Sequence, residues 1–344
     1  MIRFGTQQTF HIGELSEVAA ARRAGIKLAQ KLGFNELRTA QLAIVITEAA
    51  TNIAKHAAHG EILLRSLQHG ETTGVEIIAI DAGPGISNIR LQMIDGNSTT
   101  GTYGGGLGAI SRLSQEFEMY SMQEQGTALW VVIWVNDKAL KLSSDWRFAA
   151  SWEIGGICVP YPGEALCGDA WTVVFDNNLL TFMVADGLGH GPDAAIASNT
   201  AVNVIAEHQG QSPQALLQRA HVALQKTRGA AVAIGQINME LGQLRFAGVG
   251  NIAASVFEVA TRRHLLSHNG IAGSNLRKLQ EFSQTWESGA MFIAHSDGLA
   301  TRWNLDKYVG LAQSHPSLIA AVLYRDFTRG RDDVSVLVLR QTRH

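Results

Sequence analysis

The chain has 344 residues, of which 46% are hydrophobic, and a formal net charge of −2 from 28 basic and 30 acidic side chains. This length predicts two domains, and the balanced charge gives no reason to expect a nucleic-acid or anionic-membrane surface. The N-terminus lacks a signal-peptide pattern, and no apolar run approaches a membrane span of about 20 residues, so we expect a cytoplasmic protein. Two cysteines, Cys158 and Cys167, fit a reducing compartment but leave a disulfide open.

The first 60 residues predict two helices. Apolar residues recur at helical spacing over residues 14–32, and a second helix is predicted over residues 35–59. Three polar residues of the second helix, Glu48, Asn52 and His56, are four positions apart and share one face. A polar stripe of this kind is often only a solvated face, so its meaning depends on the motifs that follow.

Two glycine-rich turns come next. A predicted strand over residues 75–80 ends at Asp81, within the sequence DAGPGI, and a polar loop then leads to GGGLG at Gly104–Gly108, which opens another helix. The amides of such a loop and the start of the helix form an anion site, most often for phosphate. A Walker A loop would need a lysine and a hydroxyl that this loop lacks. A Rossmann fingerprint is matched formally by Gly104, Gly106 and Ala109, but it would need a strand directly before it.

Four motifs in this order resemble the GHKL ATP-binding fold, and within it the RsbT-like switch kinases and anti-sigma factors of bacterial stress and sporulation systems. The residues that carry the resemblance are Glu48, Asn52 and His56; Asp81, Gly83 and Gly85; Gly104, Gly105, Gly106, Leu107 and Gly108; and Gly126 and Thr127. The resemblance implies an N-terminal α/β sandwich over residues 1–137 that binds ATP through these residues.

The resemblance also implies individual roles. Asn52 would hold magnesium against the phosphates, Asp81 would accept a hydrogen bond from the adenine amino group, and residues 97–108 would form a lid over ATP. Glu48 would orient or deprotonate the attacking hydroxyl, while for His56 a structural hydrogen bond is favoured over a catalytic role. These roles agree with the chemistry, because phosphoryl transfer needs mainly positioning and charge neutralisation.

A polar segment over residues 138–147 is predicted to link the two domains, and the second domain is predicted over residues 148–344. In this second half, four aspartates each lie where a predicted strand meets a turn. They are Asp169, Asp186, Asp297 and Asp332. Carboxylates at adjacent strand ends repel one another unless cations lie between them. Oxygen ligands, together with the main-chain carbonyl that Gly187 can present, suit magnesium or manganese rather than zinc.

Five motifs of this half, CGDAW, VADGLGHG, FAGVGNI, HSDGLA and RDDVSVLVL, resemble the metal-dependent PPM protein phosphatases, in their SpoIIE-type branch and its RsbX-like group. The resemblance implies a β-sandwich flanked by helices, which makes the whole chain α+β. Asp186 would bridge two metal ions and Gly187 would donate its carbonyl, while Asp169, Asp297 and Asp332 would complete the ligand shells. A water activated by the metals would then attack a phosphoserine or phosphothreonine.

The chain also departs from the family pattern. The run after Asp297, DGLATRW, lacks the acid that many relatives carry, and no arginine matches the phosphate-gripping one of the eukaryotic branch. Asp333 is expected to cap its turn rather than to bind metal. His190 and His295 are expected to be structural, because their neighbours are strand and turn residues.

The sequence therefore predicts a regulator that joins a protein phosphatase, using Mg²⁺ or Mn²⁺, to an ATP-binding domain that acts as a serine/threonine kinase. By resemblance, its partners are STAS-domain antagonists or stressosome proteins, with a sigma factor and homodimerisation as further expectations. Two alternatives remain. The N-terminal domain could serve only as a nucleotide sensor or sigma-factor-binding module, or the glycine loop could belong to a Rossmann oxidoreductase that binds NAD.

Overall fold

The computed structural model describes residues 2–57, 59–93, 106–136, 151–258, 261–276 and 278–342. The predicted linker and residues 97–105 of the predicted lid, among them Gly104 and Gly105, lie outside these residues. The contacts within the chain divide it into two compact units. The N-terminal unit comprises Phe4–Leu142 and Asn304–Arg325, and the C-terminal unit comprises Met1–Arg3, Ser143–Trp303 and Asp326–His344. The domain boundaries 1–137 and 148–344 stay a prediction, because each compact unit is built from more than one segment of the chain.

The N-terminal unit is one sheet covered by helices. Its sheet contains β1 (Ile2–Phe4), of which Phe4 belongs to this unit, β2 (Gln8–Ile12), β3 (Gly60–His69), β4 (Thr72–Asp81), β5 (Glu116–Ser121) and β6 (Thr127–Trp134). Its helices include α1 (Leu15–Lys31), α2 (Glu36–His56), α3 (Ile89–Gln92) and α4 (Gly106–Leu113). The sheet order is β1-β3-β4-β6-β5, with β2 also paired to β3.

Helix α2 begins where its sequence predicts. The Asn35 side chain accepts a hydrogen bond from the Arg38 amide at 2.8 Å, which satisfies one of the unpaired donors at the helix start. Its buried stripe packs into a core shared with the sheet and includes Leu42, Ile46, Ala49 and Ile53. The burial of this stripe leaves Glu48 and Asn52 on an adjacent, half-buried face.

The C-terminal unit is a sandwich of two antiparallel sheets with helices outside. One sheet has the order β14-β11-β10-β9-β8 and the other has the order β13-β12-β15-β16-β7. Its elements are β7 (Trp152–Val159), β8 (Asp169–Asp176), β9 (Leu179–Gly187), α5 (Pro192–Glu207), α6 (Pro213–Leu224), β10 (Ala230–Asn238), β11 (Gln243–Val249), β12 (Ala253–Phe257), β13 (Arg262–Leu265), β14 (Phe282–Thr285), β15 (Met291–His295) and β16 (Val334–Gln341). A further helix, α7 (Pro316–Phe327), belongs to the N-terminal unit as far as Arg325. The rings of Phe182 and Phe292, one from each sheet, lie 4.4 Å apart in the core between them.

Residues 304–325, which include most of α7, pack within the N-terminal unit. The carboxylate of Glu76 on β4 is almost fully buried and accepts hydrogen bonds from Arg65 Nε at 2.5 Å, Trp130 Nε1 at 2.8 Å and Ser317 Oγ at 2.9 Å. The ring of His315 stacks on Trp130 at 3.6 Å. The buried charge is therefore neutralised by three donors, as a buried carboxylate requires.

The observed architecture confirms the predicted α+β class. Among the helices in the described part of the chain, none combines the length and the apolar character needed to cross a membrane.

Candidate active sites

Acidic residues gather at the ends of four strands in the C-terminal unit. Asp169 opens β8 and pairs directly with Asp186 near the end of β9. Asp297 follows β15 by two residues, and Asp332 lies just before β16, which is the neighbour of β15 in the other sheet. The two facing sheets therefore bring together the four aspartates that the sequence singled out.

The charges of these carboxylates act on one another. The pKa of Asp186 is raised to about 7, first by burial and then by the charges of Asp297, Asp332 and Asp333. Burial, followed by the charge of Asp186, raises the pKa of Asp169 well above its usual range, and Asp169 is only 3% exposed. Burial and the charge of Asp332 also raise the pKa of Asp297. The carboxylates are thus held close enough to disfavour simultaneous ionisation.

The donor set fits a hard divalent cation. Asp169 Oδ2 and Asp333 Oδ2 are buried and have no hydrogen-bond partner among the described residues, and a buried carboxylate oxygen in this condition is costly unless a cation compensates it. Within the described ranges, no three acidic, histidine or cysteine side chains converge tightly enough to enclose one ion. The acids therefore lie within electrostatic reach of one another rather than in a closed ligand shell.

The turn after Asp186 requires glycine. A Cβ on Gly187 would lie 2.1 Å from the carbonyl oxygen of Ala194 at the start of α5, and 2.9 Å from that of Gly168. The Gly187 amide donates to the same Gly168 carbonyl at 3.1 Å. This close packing fixes the chain on both sides of the acidic pair, because Gly168 directly precedes Asp169.

In the N-terminal unit, Asp81 is the last residue of β4, and its side chain accepts hydrogen bonds from nearby backbone amides. Its Oδ1 accepts from the Gly83 amide at 2.8 Å and from the Thr127 amide at 3.3 Å. Burial raises the pKa of Asp81, and these two amides oppose that shift. Gly126, which precedes Thr127, has φ +82°, and a Cβ on it would lie 2.0 Å from the Asp81 carbonyl oxygen. The two predicted motifs therefore meet at one point of the sheet.

The glycine loop meets the polar face of α2. A Cβ on Gly106, at the start of α4, would lie 3.3 Å from Glu48 Oε2 and 3.4 Å from Asn52 Oδ1. Glycine at this position leaves the two side chains room for a ligand. His56, one turn further along α2, is near enough to Asp81 for its charge to lower that pKa.

The remaining predicted ATP-site residues surround these contacts. A Cβ on Gly83 would lie 2.8 Å from the Ala57 Cβ, and a Cβ on Gly85, with φ +69°, would lie 2.0 Å from the Met122 carbonyl oxygen. Leu107 packs against the core and Gly108 is buried within α4. These positions hold the turn and the helix in place around Asp81 and Gly106.

Comparisons with known proteins identify the families of the two halves of the chain. The family described as histidine kinase-like ATPase domain matches residues 13–133, and the family described as stage II sporulation protein E (SpoIIE) matches residues 176–342. The serine/threonine-protein kinase RsbT of Bacillus subtilis (strain 168) is 38% identical over 119 residues, which span 35% of this chain and 90% of RsbT.

The chain joins an RsbT-type histidine-kinase-like ATPase domain to a SpoIIE-type PPM serine/threonine phosphatase domain. The phosphoserine phosphatase RsbX of the same organism is 29% identical over 138 residues, which span 40% of this chain and 69% of RsbX. With both kinds of relative, the chain falls among the partner-switching regulators.

Solved structures show the phosphatase fold. A chain from the bacterial stressosome, described as a modular system adapted to control secondary messenger signaling, aligns with a TM-score of 0.52 and 29% identity, covering 55% of this chain and 99% of its own. RsbX in complex with magnesium aligns with a TM-score of 0.50 and 23% identity, covering 56% of this chain and 96% of its own. At 23% identity, the match to RsbX shows a shared fold and nothing more.

One expectation for the phosphatase domain was wrong. Asp333 does not cap its own turn: its Oδ1 accepts from the Tyr161 amide at 2.8 Å, across 172 residues of sequence, and the Asp333 amide donates to Asp332 Oδ1 at 2.9 Å. Asp332 therefore makes the local turn contact, while Asp333 ties the β7–β8 connection to the acidic site. The sequence could not show this, because the partner comes from the far end of the domain.

The two histidines of the phosphatase domain differ. His295 is buried, its Nδ1 lies 2.8 Å from the Ser296 carbonyl oxygen, and its Nε2 accepts from Trp303 Nε1 at 3.2 Å. Burial lowers its pKa to about 4, and both ring nitrogens contact groups of the same unit, as the predicted structural role requires. His190 is half exposed, stacks on Tyr161 at 4.3 Å and lies 3.0 Å from Glu164.

Asn251 is a contact of the phosphatase site that the sequence did not single out as an individual residue. Its side chain donates to Asp297 Oδ2 at 2.6 Å. The motif GVGNI that contains it carried the family resemblance, but nothing in the motif indicated a contact 46 residues away.

Proposed function

We propose that this protein removes phosphate from phosphoserine or phosphothreonine on a partner protein of the STAS-domain or stressosome type, and that its ATPase domain phosphorylates a related partner. The observation that carries the first part is the cluster of four strand-end aspartates around Asp186, whose pKa is raised to about 7 by burial and by neighbouring acids. RsbT and RsbX, the curated relatives of the two halves, are named as a kinase and a phosphoserine phosphatase. Their names support the direction of each reaction.

In the phosphatase reaction the aspartates would hold two divalent metal ions. Asp186 would bridge them, the Gly187 carbonyl would add one ligand, and Asp169, Asp297 and Asp332 would supply the rest. When bound, such ions would lower the pKa of a water molecule and neutralise the charge of the phosphate. The protein's own part is to hold the acids close together at fixed strand ends, where burial and neighbouring acids raise the pKa of Asp186 and favour the binding of cations.

In the kinase reaction Asn52 would hold magnesium on the phosphates and Glu48 would orient the partner's hydroxyl. Both side chains face Gly106 at the start of α4, where amide groups and the helix dipole favour phosphate. Asp81 would select adenine with its carboxylate, whose Oδ1 already accepts two backbone amides that hold it in place. A single oriented carboxylate beside a metal ligand suffices for positioning.

The phosphatase is tested by phosphate release from a purified phosphorylated STAS-domain protein. We expect release with Mn²⁺ or Mg²⁺ present and none after chelation with EDTA, with activity restored by excess Mn²⁺. A general phosphatase provides the control that the phosphate is accessible. Release by the general enzyme but not by this protein with Mn²⁺ would reject the proposal.

The kinase is tested separately, by transfer of labelled phosphate from ATP to unphosphorylated STAS-domain proteins. We expect Glu48→Gln to abolish transfer while a fluorescent ATP analogue still binds. Lys55→Gln, a change at an exposed position of the same helix, is the matched control and should leave transfer intact. If the wild type transfers nothing to any partner but binds nucleotide, the domain is a nucleotide sensor or binding module instead.

A further inference from the structure

Asn251 lies between β11 and β12 and donates a hydrogen bond to one acid of the phosphatase site. Its Nδ2 contacts Asp297 Oδ2 at 2.6 Å. A hydrogen bond from an amide to a carboxylate is assisted by charge and is shorter and stronger than one between neutral groups. Asp297 therefore has a fixed donor that comes from a different loop than its own.

The loop that carries Asn251 is held by packing of its backbone. The preceding Gly250 has φ +93°, and a Cβ on it would lie 2.4 Å from the Cβ of Ala231, which is the residue of β10 paired with Asp186. The Gly250 amide also donates to the His268 carbonyl at 2.8 Å. Because these contacts do not involve the Asn251 side chain, a substitution at position 251 removes the donor and leaves the loop in place.

Asp297 has a particular need for such a donor. It is half-buried next to Asp332, and the charge of Asp332 acts directly on it. Mutual repulsion pushes two carboxylates away from a shared ligand position. A hydrogen bond that holds one oxygen opposes this movement and fixes the direction of the other oxygen, since a carboxylate has two oxygens and several acceptor positions.

We propose that Asn251 is a positioning residue of the metal site, which holds Asp297 through Oδ2 and leaves Oδ1 for a divalent cation. This inference rests on the proposed phosphatase function, because it presupposes that Asp297 is a ligand. Partners that orient metal ligands in this way contribute about 10–100-fold to metal affinity or activity. The amide of Asn251 makes its contribution without adding a further negative charge to the acidic cluster.

The test is a titration of Mn²⁺ into the full-length, nucleotide-free protein, with free Mn²⁺ followed by electron paramagnetic resonance. We expect Asn251→Ala to weaken the tightest Mn²⁺ binding by about 10–100-fold. Asn251→Gln, which keeps the amide on a longer side chain, should recover part of this loss. In phosphate-release assays the loss should lie in the Mn²⁺ concentration required, with kcat at saturating Mn²⁺ within a few-fold of wild type.

Asn178→Ala is the matched control, because the Asn178 amide also bonds a carboxylate, that of Glu240, in the same unit but at the opposite end of β9 from the acids. The two alanine variants should unfold at similar temperatures without metal. Mn²⁺ binding by Asn251→Ala that is as tight as by Asn178→Ala would overturn the inference. A wild-type protein that binds no Mn²⁺ would instead reject the proposed phosphatase function, so the two failures are distinguishable.

Discussion

Asp81 and Asp186 both end a buried strand and both precede a glycine turn, yet their surroundings are opposite. Asp81 receives two hydrogen bonds from backbone amides of its own unit. Asp186 is surrounded by other carboxylates, and these raise its pKa in addition to burial. The same local sequence pattern, strand, aspartate and glycine, therefore occurs in two different electrostatic surroundings.

The different neighbours of Asp81 and Asp186 determine which kind of ligand each carboxylate can bind. A carboxylate already bonded by amides has its charge stabilised in place and can use remaining acceptor positions to recognise a neutral donor such as an adenine amino group. A carboxylate among other carboxylates has an excess of negative charge, which only protons or cations can relieve. Glu76 gives a third case, because three side-chain donors satisfy it and it needs neither a ligand nor a cation.

The largest effect is expected at Asp186. Asp186→Asn keeps the size of the side chain but removes the charge that would bridge two metal ions, so phosphate release should fall by about 10³-fold or more. Binding of a fluorescent ATP analogue should be unchanged. Asp176→Asn, at the opposite end of the paired strand β8, is the control and should retain activity. Full activity of Asp186→Asn would contradict the assignment of the site.

The converse change is Asp81→Asn. Loss of a charged acceptor for the adenine amino group should weaken nucleotide binding by roughly 10–100-fold, the range expected for a hydrogen bond to a charged group. Mn²⁺-dependent phosphate release should remain within about twofold of wild type if the metal site stands by itself. Unchanged nucleotide affinity, measured by calorimetry, would remove Asp81 from the ATP site.

The pH dependence should also separate the two sites. With a pKa of about 7, Asp186 is mostly protonated at pH 6, and a cation must displace that proton. Apparent Mn²⁺ affinity should therefore rise about tenfold between pH 6 and pH 8, as expected for one proton with this pKa. Because the folded-state pKa lies above the ordinary value of 3.8, the metal-free protein should lose stability as pH rises from about 4 to about 7.

Calorimetric titrations in two buffers of different ionisation enthalpy measure the proton released on Mn²⁺ binding. The expected result is that more protons are released per chain at pH 6 than at pH 8. A Mn²⁺ affinity that does not change over this interval would contradict the raised pKa of Asp186.

The smallest effect is expected at Ser317. Ser317→Ala removes one of three donors to the buried Glu76 carboxylate, and the remaining donors still neutralise it, so the free energy of unfolding should fall by about 1 kcal/mol. Chemical denaturation with and without Mn²⁺ measures this. The difference from wild type should be the same in both conditions, because this acid needs no cation. A loss that Mn²⁺ abolishes would show that Glu76 belongs with the acids of the metal site.

Local signals in the sequence were sufficient for most of the elements that carry the sites. The periodicity of residues 35–59 predicted α2, and the polar residues Glu48 and Asn52 on it do face Gly106. The four aspartates at strand ends were recognised because each follows or precedes a strongly apolar run. In both cases the information lies within a few residues of the site.

Contacts between distant segments were not predictable in this way. Asp333 bonds the Tyr161 amide across 172 residues, and Asn251 bonds Asp297 across 46. Residues 304–325 pack within the N-terminal unit with a hydrogen bond from Ser317 to Glu76, and Glu76 reads in the sequence as an ordinary polar residue of a strand. A single sequence carries no local pattern for such pairs, since neither partner is unusual in its own surroundings.

The most direct measurement is anomalous diffraction at the manganese edge from crystals of the nucleotide-free protein grown with Mn²⁺. The proposed phosphatase site predicts two manganese peaks between Asp186 and its neighbours Asp169, Asp297 and Asp332, and their loss in Asp186→Asn crystals. Manganese peaks located elsewhere, or none near Asp186 in a protein that still releases phosphate with Mn²⁺, would contradict a metal centre built on the four aspartates.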